Sequence, residues 1–231
     1  MKNSDIKIAG NLTINDWGDL EKGLKNMAVE NWGLAFYFFE ERIRTRYLNP
    51  INTILDMDLK TGEGFAVVNL QCSLIETIES FINGWVYNAV KDKSKQIIAN
   101  RWYNKKIEVN NLVQIDKLDD DKSLKNVDIF ISFFNKREPF KDLLIKGDDF
   151  FWNIRCALLH ETQTKNGWKI KANGVDKSIK DKIIYRDLFQ KDIETVIENY
   201  KKSIIVNDNI TTIGLRENFI AKFNHICKES Q

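Results

Sequence analysis

TGEGFAVVNLQCSLIETIESFINGWVY, residues 61–87, is the stretch that decides the fold class. At about 100° per residue, Val67, Leu70, Leu74, Ile78 and Phe81 fall on one face. Val68, Ile75 and Ile82 widen that face, and Asn69, Ser73, Glu76 and Ser80 lie opposite it. The spacing predicts a long amphipathic helix over residues 61–87, opened by Thr61-Gly62-Glu63-Gly64. Glu76 and Glu79 fall on its more polar side and are expected to be solvated or to face a partner.

Toward the amino terminus, residues 16–47 read as one long helix. Asp16 or Asn15 caps it, and Pro50 lies beyond its end. The middle of this segment, residues 32–39, is apolar, and its end, residues 40–46, is charged. Residues 50–58 read as a short helix or connector. Toward the carboxyl terminus, residues 94–104 continue as helix, and the acidic run Asp119-Asp120-Asp121 marks an exposed loop. Residues 126–135 form a short helix, and Pro139 starts a turn or helix to Lys146. Gly147-Asp148-Asp149 caps a helix over 150–162, since acids at an N-terminus complement the helix dipole. Asn166-Gly167 is a hairpin signal, with residues 168–170 and 182–185 as two small strands. Asp187 caps a helix reaching about Ile205, and residues 215–227 make a short last helix. The expected fold is all-α: a bundle of four or more helices, a long amino-terminal helix and a minor β-hairpin. The best cut lies near Leu59. It gives an amino-terminal helical extension, 1–60, and a helical domain, 61–231, unless the chain is one continuous domain, 1–231.

With 2 Pro and 11 Gly in 231 residues, the chain has little turn or linker material, which argues against an all-β sandwich or barrel. Its 43% hydrophobic and 29% charged residues are the balance of a globular core. A net charge of +2 and a pI near 8.3 are too even to indicate nucleic acid alone. Residues 165–186 nonetheless carry seven basic side chains against two Asp, and residues 91–106 carry six against one. The first ten residues do not read as a signal peptide, and the apolar patch 34–39 is too short to span a bilayer, so a cytoplasmic location is expected. Cys72, Cys156 and Cys227 stand far apart beside only two His. That spacing suggests reduced thiols rather than a zinc site or disulfides, and no cofactor or metal is expected. No phosphate-binding glycine loop and no Ser-His-Asp order is present.

The chemistry-bearing segment is FFWNIRCALLHE, residues 150–161. Phe150, Phe151, Ile154, Ala157 and Leu158 fall within about 120° and form a core face. Arg155 and His160 lie about 140° apart and both point away from it. Trp152, Cys156 and Leu159 form a second apolar stripe between them. That stripe must be buried, either by another helix of the chain or by a second subunit. In a symmetric dimer it would bring an Arg-His pair from each chain to one cleft.

The run Arg155-Cys156-Ala157-Leu158-Leu159-His160 resembles the mark of the HEPN superfamily (higher eukaryotes and prokaryotes), an Arg followed after four to six residues by a His. The resemblance covers roughly residues 62–205. It implies an HEPN-like helical bundle with residues 65–87 and 187–205 as core helices. It further implies a homodimeric, metal-independent endoribonuclease with Arg155 and His160 as catalytic residues. Trp152, Cys156 and Leu159 would then line the dimer interface. Many relatives are toxins or antiviral defence factors, so RNA, a second copy and an antitoxin or other protein are the implied partners. One departure stands out: many active members have a polar residue directly after the Arg, where this chain has Cys156. A non-catalytic HEPN-fold module for dimerisation or for protein or RNA binding is therefore the other reading.

The residue chemistry suits RNA cleavage. An imidazole titrates near neutrality and serves as general acid or base. A guanidinium offers a fixed fork to phosphate oxygens. The expected products are a 2′,3′-cyclic phosphate and a 5′-hydroxyl. Lys165, Trp168 and Lys169 follow closely and would contact RNA by stacking and phosphate binding. Structural roles are open to the same residues: Arg155 can pair with Glu161, Asp149 or another acid, and His160 or His225 can cap a helix end.

Overall fold

The computed structural model describes residues 5–24, 29–57, 61–92, 97–104, 124–206 and 210–230. Two short strands, β1 (Lys7–Ala9) and β2 (Leu12–Thr13), open the chain. Helices α1 (Ile14–Leu24), α2 (Val29–Ile43), α3 (Asn49–Asp56) and α4 (Glu63–Asn83) follow. A β-hairpin, β3 (Trp85–Asp92) and β4 (Ile97–Asn104), separates α4 from α5 (Asn126–Lys136). Then come a 3-10 turn (Phe140–Leu143), α6 (Gly147–Phe150), a π turn (Phe151–Cys156) and α7 (Ala157–Glu161). A small sheet, β5 (Lys169–Lys171), β6 (Ile179–Lys180) and β7 (Ile183–Tyr185), leads into α8 (Arg186–Ile205) and α9 (Ile210–Glu229). The described residues are mainly helical, as expected.

Helix α4 is the axis. It touches α3, α5, α8 and α9, and most of its side chains are buried. By length and composition it is apolar enough to cross a membrane, but it occupies the position of a core helix. Glycines in left-handed conformation stop it at both ends, Gly62 at φ 88° and Gly84 at φ 66°. The helix therefore ends before residue 87. Beyond Gly84, the β-branched and aromatic residues Trp85, Val86 and Tyr87 enter a strand. Residues 97–104, expected as helix, are the partner strand, with Trp85 opposite Asn104 and Asp92 opposite Ile97. The acidic run at 119–121 lies outside the described residues.

The single helix expected over residues 16–47 is two helices packed on each other. The rings of Trp17 and Phe38 are 5.5 Å apart, whereas a straight helix would separate these positions by roughly 30 Å. The apolar middle of α2 requires a matching apolar face, and α1 supplies Trp17 and Leu24 only by folding back. Thr13, rather than Asn15 or Asp16, precedes the first turn. Its N–H donates to Asp16 Oδ2 at 2.7 Å, and its Oγ1 accepts from the Asp16 N–H at 3.3 Å, a reciprocal capping box. Pro50 does not lie beyond the helical run. A π turn (Arg44–Leu48) carries α2 into α3, where Pro50 occupies the first turn and needs no N–H partner.

Trp17, Phe36, Phe39, Phe81, Tyr200, Phe219 and Phe223 form an aromatic centre. Trp17 stacks on Phe223 at 4.4 Å, and Phe39 meets Phe81 at 4.8 Å. One apolar cluster thus draws on both sides of residue 60. A neighbouring group, Phe130, Phe134, Phe140, Phe150 and Phe189, joins α5 to α6 and α8. Gly147 is a contact residue rather than a cap: a Cβ there would sit 2.5 Å from the Phe130 carbonyl oxygen and 2.6 Å from Ile131 Cα.

The strands expected near 168–170 and 182–185 form, but side by side and parallel, as β5 and β7. The hairpin is β6–β7, turned by Asp181 and Lys182 at φ 52° and 60°. Asn166-Gly167 makes a separate turn from α7 into β5, with the Trp168 N–H donating to the Lys165 carbonyl at 3.0 Å. Asp187 lies in the first turn of α8, and its Oδ2 accepts from the Asn173 N–H at 2.9 Å. Helix α9 is longer at both ends than the expected 215–227.

Candidate functional site

Arg155 stands in the π turn between α6 and α7, a wider coil often found where a side chain is positioned for function. Its Nε donates to Glu76 Oε1 of α4 at 2.8 Å. The guanidinium carbon lies 5.8 Å from the centre of the Phe151 ring. Burial opposes the Arg155 charge, but Glu76 outweighs it and holds the guanidinium above its ordinary value. Burial pushes the Glu76 carboxyl up despite the pull of Arg155. The fully buried Cys72 thiol is pushed far up by the same loss of solvent. Cys156 is half-buried, and its thiol is raised by burial against the pull of Arg155.

His160 is on the exposed side of α7, two residues before the left-handed Thr162 at φ 54°. Among the described residues no hydrogen bond or ion pair joins it to Arg155. Arg155 points inward to α4 and His160 outward to solvent. Between them, Trp152 is 60% and Leu159 49% exposed. No helix of the described chain covers that part of the second stripe.

The residues expected to contact RNA separate into two kinds. Lys169 is exposed on β5, and Lys165 pairs with Glu161. Trp168 is a correction: it is only 5% exposed, its ring meets Phe150 edge-on at 5.7 Å, and its Nε1 donates to Asp149 Oδ2 at 3.0 Å. It has no face for a base to stack on. Its work is to tie the turn after α7 to the start of α6, together with Asn153, whose Nδ2 donates to Asp149 Oδ1 at 2.7 Å.

Glu76 and Glu79 of α4 correct another expectation. Glu76 is largely covered by Arg155. Glu79 is completely buried, bound by Arg137 through both carboxylate oxygens and by Asn83 Nδ2 at 2.9 Å. A signal was present in the sequence: Glu79 has Ile75 and Ile82 at i−4 and i+3, which places it at the edge of the apolar face.

His225, expected as a cap or surface residue, lines a cavity with Arg42, Arg46, Lys222 and Glu76. Among the described residues no group of three or more His, Cys, Asp or Glu side chains is placed to hold a metal ion. No protein-family model, curated protein or solved structure matches the chain.

Proposed function

We propose that the protein is a homodimeric endoribonuclease in which the exposed faces of α6 and α7 from two copies meet and form one RNA cleft. The observation that carries this reading is the uncovered apolar pair Trp152 and Leu159 on the same surface as His160 and beside Arg155. Large apolar side chains flanking a cation and an imidazole suit a protein interface with chemistry at its edge. Glu76 fixes Arg155 from behind, so its fork is oriented before substrate arrives.

In the cleft, one imidazole takes the proton of the ribose 2′-hydroxyl as that oxygen attacks phosphorus. The bond from phosphorus to the 5′-oxygen breaks, and the second imidazole protonates the departing oxygen. Arg155 stabilises the extra negative charge on the phosphoryl oxygens. A 2′,3′-cyclic phosphate and a 5′-hydroxyl result. Lys169 provides positive charge along the approach, and Lys165 does so once it exchanges Glu161 for a phosphate.

A second reading, an RNA- or protein-binding module without cleavage, is favoured by Glu76, whose carboxylate already offsets the Arg155 charge. The two are separated by incubating purified protein with tRNA, mRNA and structured RNA in EDTA, beside folded Arg155→Ala and His160→Ala variants. Cleavage by the wild type alone, ending in cyclic phosphate, establishes the nuclease. Retained RNA binding without cleavage in all three proteins establishes the module. Equal cleavage by all three removes both residues from the reaction.

A further inference from the structure

Residues 40–46, spanning the end of α2 and the start of the π turn, carry two acids and three arginines. Glu40 accepts from Lys201 at 2.7 Å, and Glu41 binds Arg44 through two bonds of 2.9 and 2.7 Å. Both acids of this stretch are thereby committed. Arg42 and Arg46, one helical turn apart, form no ion pair among the described residues. They converge instead on a single backbone oxygen: Ile8 O accepts from Arg42 Nη1 at 2.6 Å and from Arg46 Nη2 at 3.3 Å. Each guanidinium has five N–H donors, so most of the donors of this pair have no carboxylate to meet. Like charges at this spacing repel, and their juxtaposition weakens an isolated helix. Burial, followed by the neighbouring Arg46 charge, lowers the Arg42 guanidinium to about 10.

This pair lines a cavity of about 460 Å³ between α2, α4 and α9, within the size range of small-ligand sites. Lys222, only 9% exposed, and His225 enter from α9. Glu229 and Glu76 are the acids of the wall, and Glu76 is already held by Arg155. Arg42 and Arg46 outnumber Glu229, the one acid of the lining not held by Arg155, so the cavity carries net positive charge. Thr77 fixes the Tyr47 hydroxyl at 3.0 Å, and the Tyr87 ring, 43% exposed, stands at the rim.

We propose that this cavity binds a nucleoside monophosphate, its phosphate in the fork of Arg42 and Arg46 and its base against Tyr87. A dianionic phosphate has the charge and the acceptor oxygens that two unpaired guanidinium groups require, and an aromatic ring at the rim offers a stacking surface. The site uses neither Arg155 nor His160, so it stands whether or not the chain cleaves RNA.

The test is calorimetric titration of the full chain with AMP, inorganic phosphate and adenosine at one ionic strength, repeated with Arg46→Gln and Arg42→Lys. AMP is expected to bind at one site and adenosine to give no heat. Arg46→Gln, at an exposed position, is expected to keep its circular dichroism and melting temperature and to weaken AMP by about ten-fold or more. Arg42→Lys keeps the charge but loses the fork, and is expected to weaken AMP as well. Failure of AMP to bind at millimolar concentration, or equal binding by wild type and Arg46→Gln, overturns the site. Inorganic phosphate binding as tightly as AMP overturns the nucleoside assignment.

Discussion

Glu79 of α4 and Arg137, the residue just after α5, form a two-bonded ion pair whose carboxylate is wholly removed from solvent while the guanidinium keeps one edge exposed. Such a pair is held less by its own attraction than by the cost of breaking it. Removing one partner leaves a buried charge unanswered. Arg137→Ala is expected to lower the free energy of unfolding by about 3–5 kcal/mol, read from urea denaturation. The double variant Glu79→Leu/Arg137→Met should recover most of that loss, because an apolar pair of similar volume needs no desolvation. A double variant as unstable as the single one would show that the pair contributes more than charge compensation.

Two glutamates of α4 should titrate with opposite signs. Glu63 is bonded by Arg186 at 2.7 Å, and this bond, followed by a backbone N–H, holds its carboxyl below the ordinary 4.5. A lowered folded value means that the unfolded chain binds the proton first. The stability it contributes is therefore present above pH 4.5 and lost as pH falls through the folded value. Glu76 is the reverse: burial raises it, so its contribution declines as pH rises above 4.5 through the folded value. Unfolding curves from pH 3 to 7 should show the gap between wild type and Glu63→Gln closing toward acid. Relative to wild type, Glu76→Gln should gain as pH rises. Parallel pH profiles for the two variants would contradict both assignments.

Leu159→Glu places a charge in the centre of the exposed stripe. In analytical ultracentrifugation the wild type is expected to sediment as a dimer at micromolar concentration and the variant as a monomer. The melting temperature of the monomer should hardly move, since the residue is half-exposed in one chain. A wild type that stays monomeric at high concentration would remove the shared cleft.

Trp168→Ala should act on stability rather than on RNA. It deletes a buried indole and frees an Asp149 oxygen, an expected loss of about 3–5 kcal/mol by chemical denaturation. Under conditions where the variant is fully folded, RNA affinity should match the wild type. A weaker affinity with unchanged stability would restore the stacking role.

Much of the core was legible because periodicity reports which side of a helix is apolar. The central helix, the helix at 126–135 and the core face Phe150, Ile154 and Leu158 all follow from that rule. What the rule misses is where the chain reverses. Trp17 and Phe38 lie in one continuous helical pattern, and only their mutual burial shows that the pattern folds back on itself. The same limit applies to β4, where a short run of apolar and aromatic residues broken by Asn100 and Arg101 satisfies either helix or strand until Gly84 breaks the helix and a partner strand appears. At the candidate site, the segment carrying Arg155 and its core face were readable from spacing. The acid that holds Arg155 was not, because Glu76 is 79 residues away and its polar helical face looks solvated in isolation.

The aromatic centre has a consequence for synthesis on the ribosome. Phe219 and Phe223 occupy the middle of the same cluster as Trp17, Phe39 and Phe81. Until α9 has emerged, the earlier rings have no complete set of neighbours and remain sticky, so folding of this core waits for α9. Nascent chains stalled before residue 219 should be held by chaperones and cleaved readily by protease. Those released after α9 should escape both.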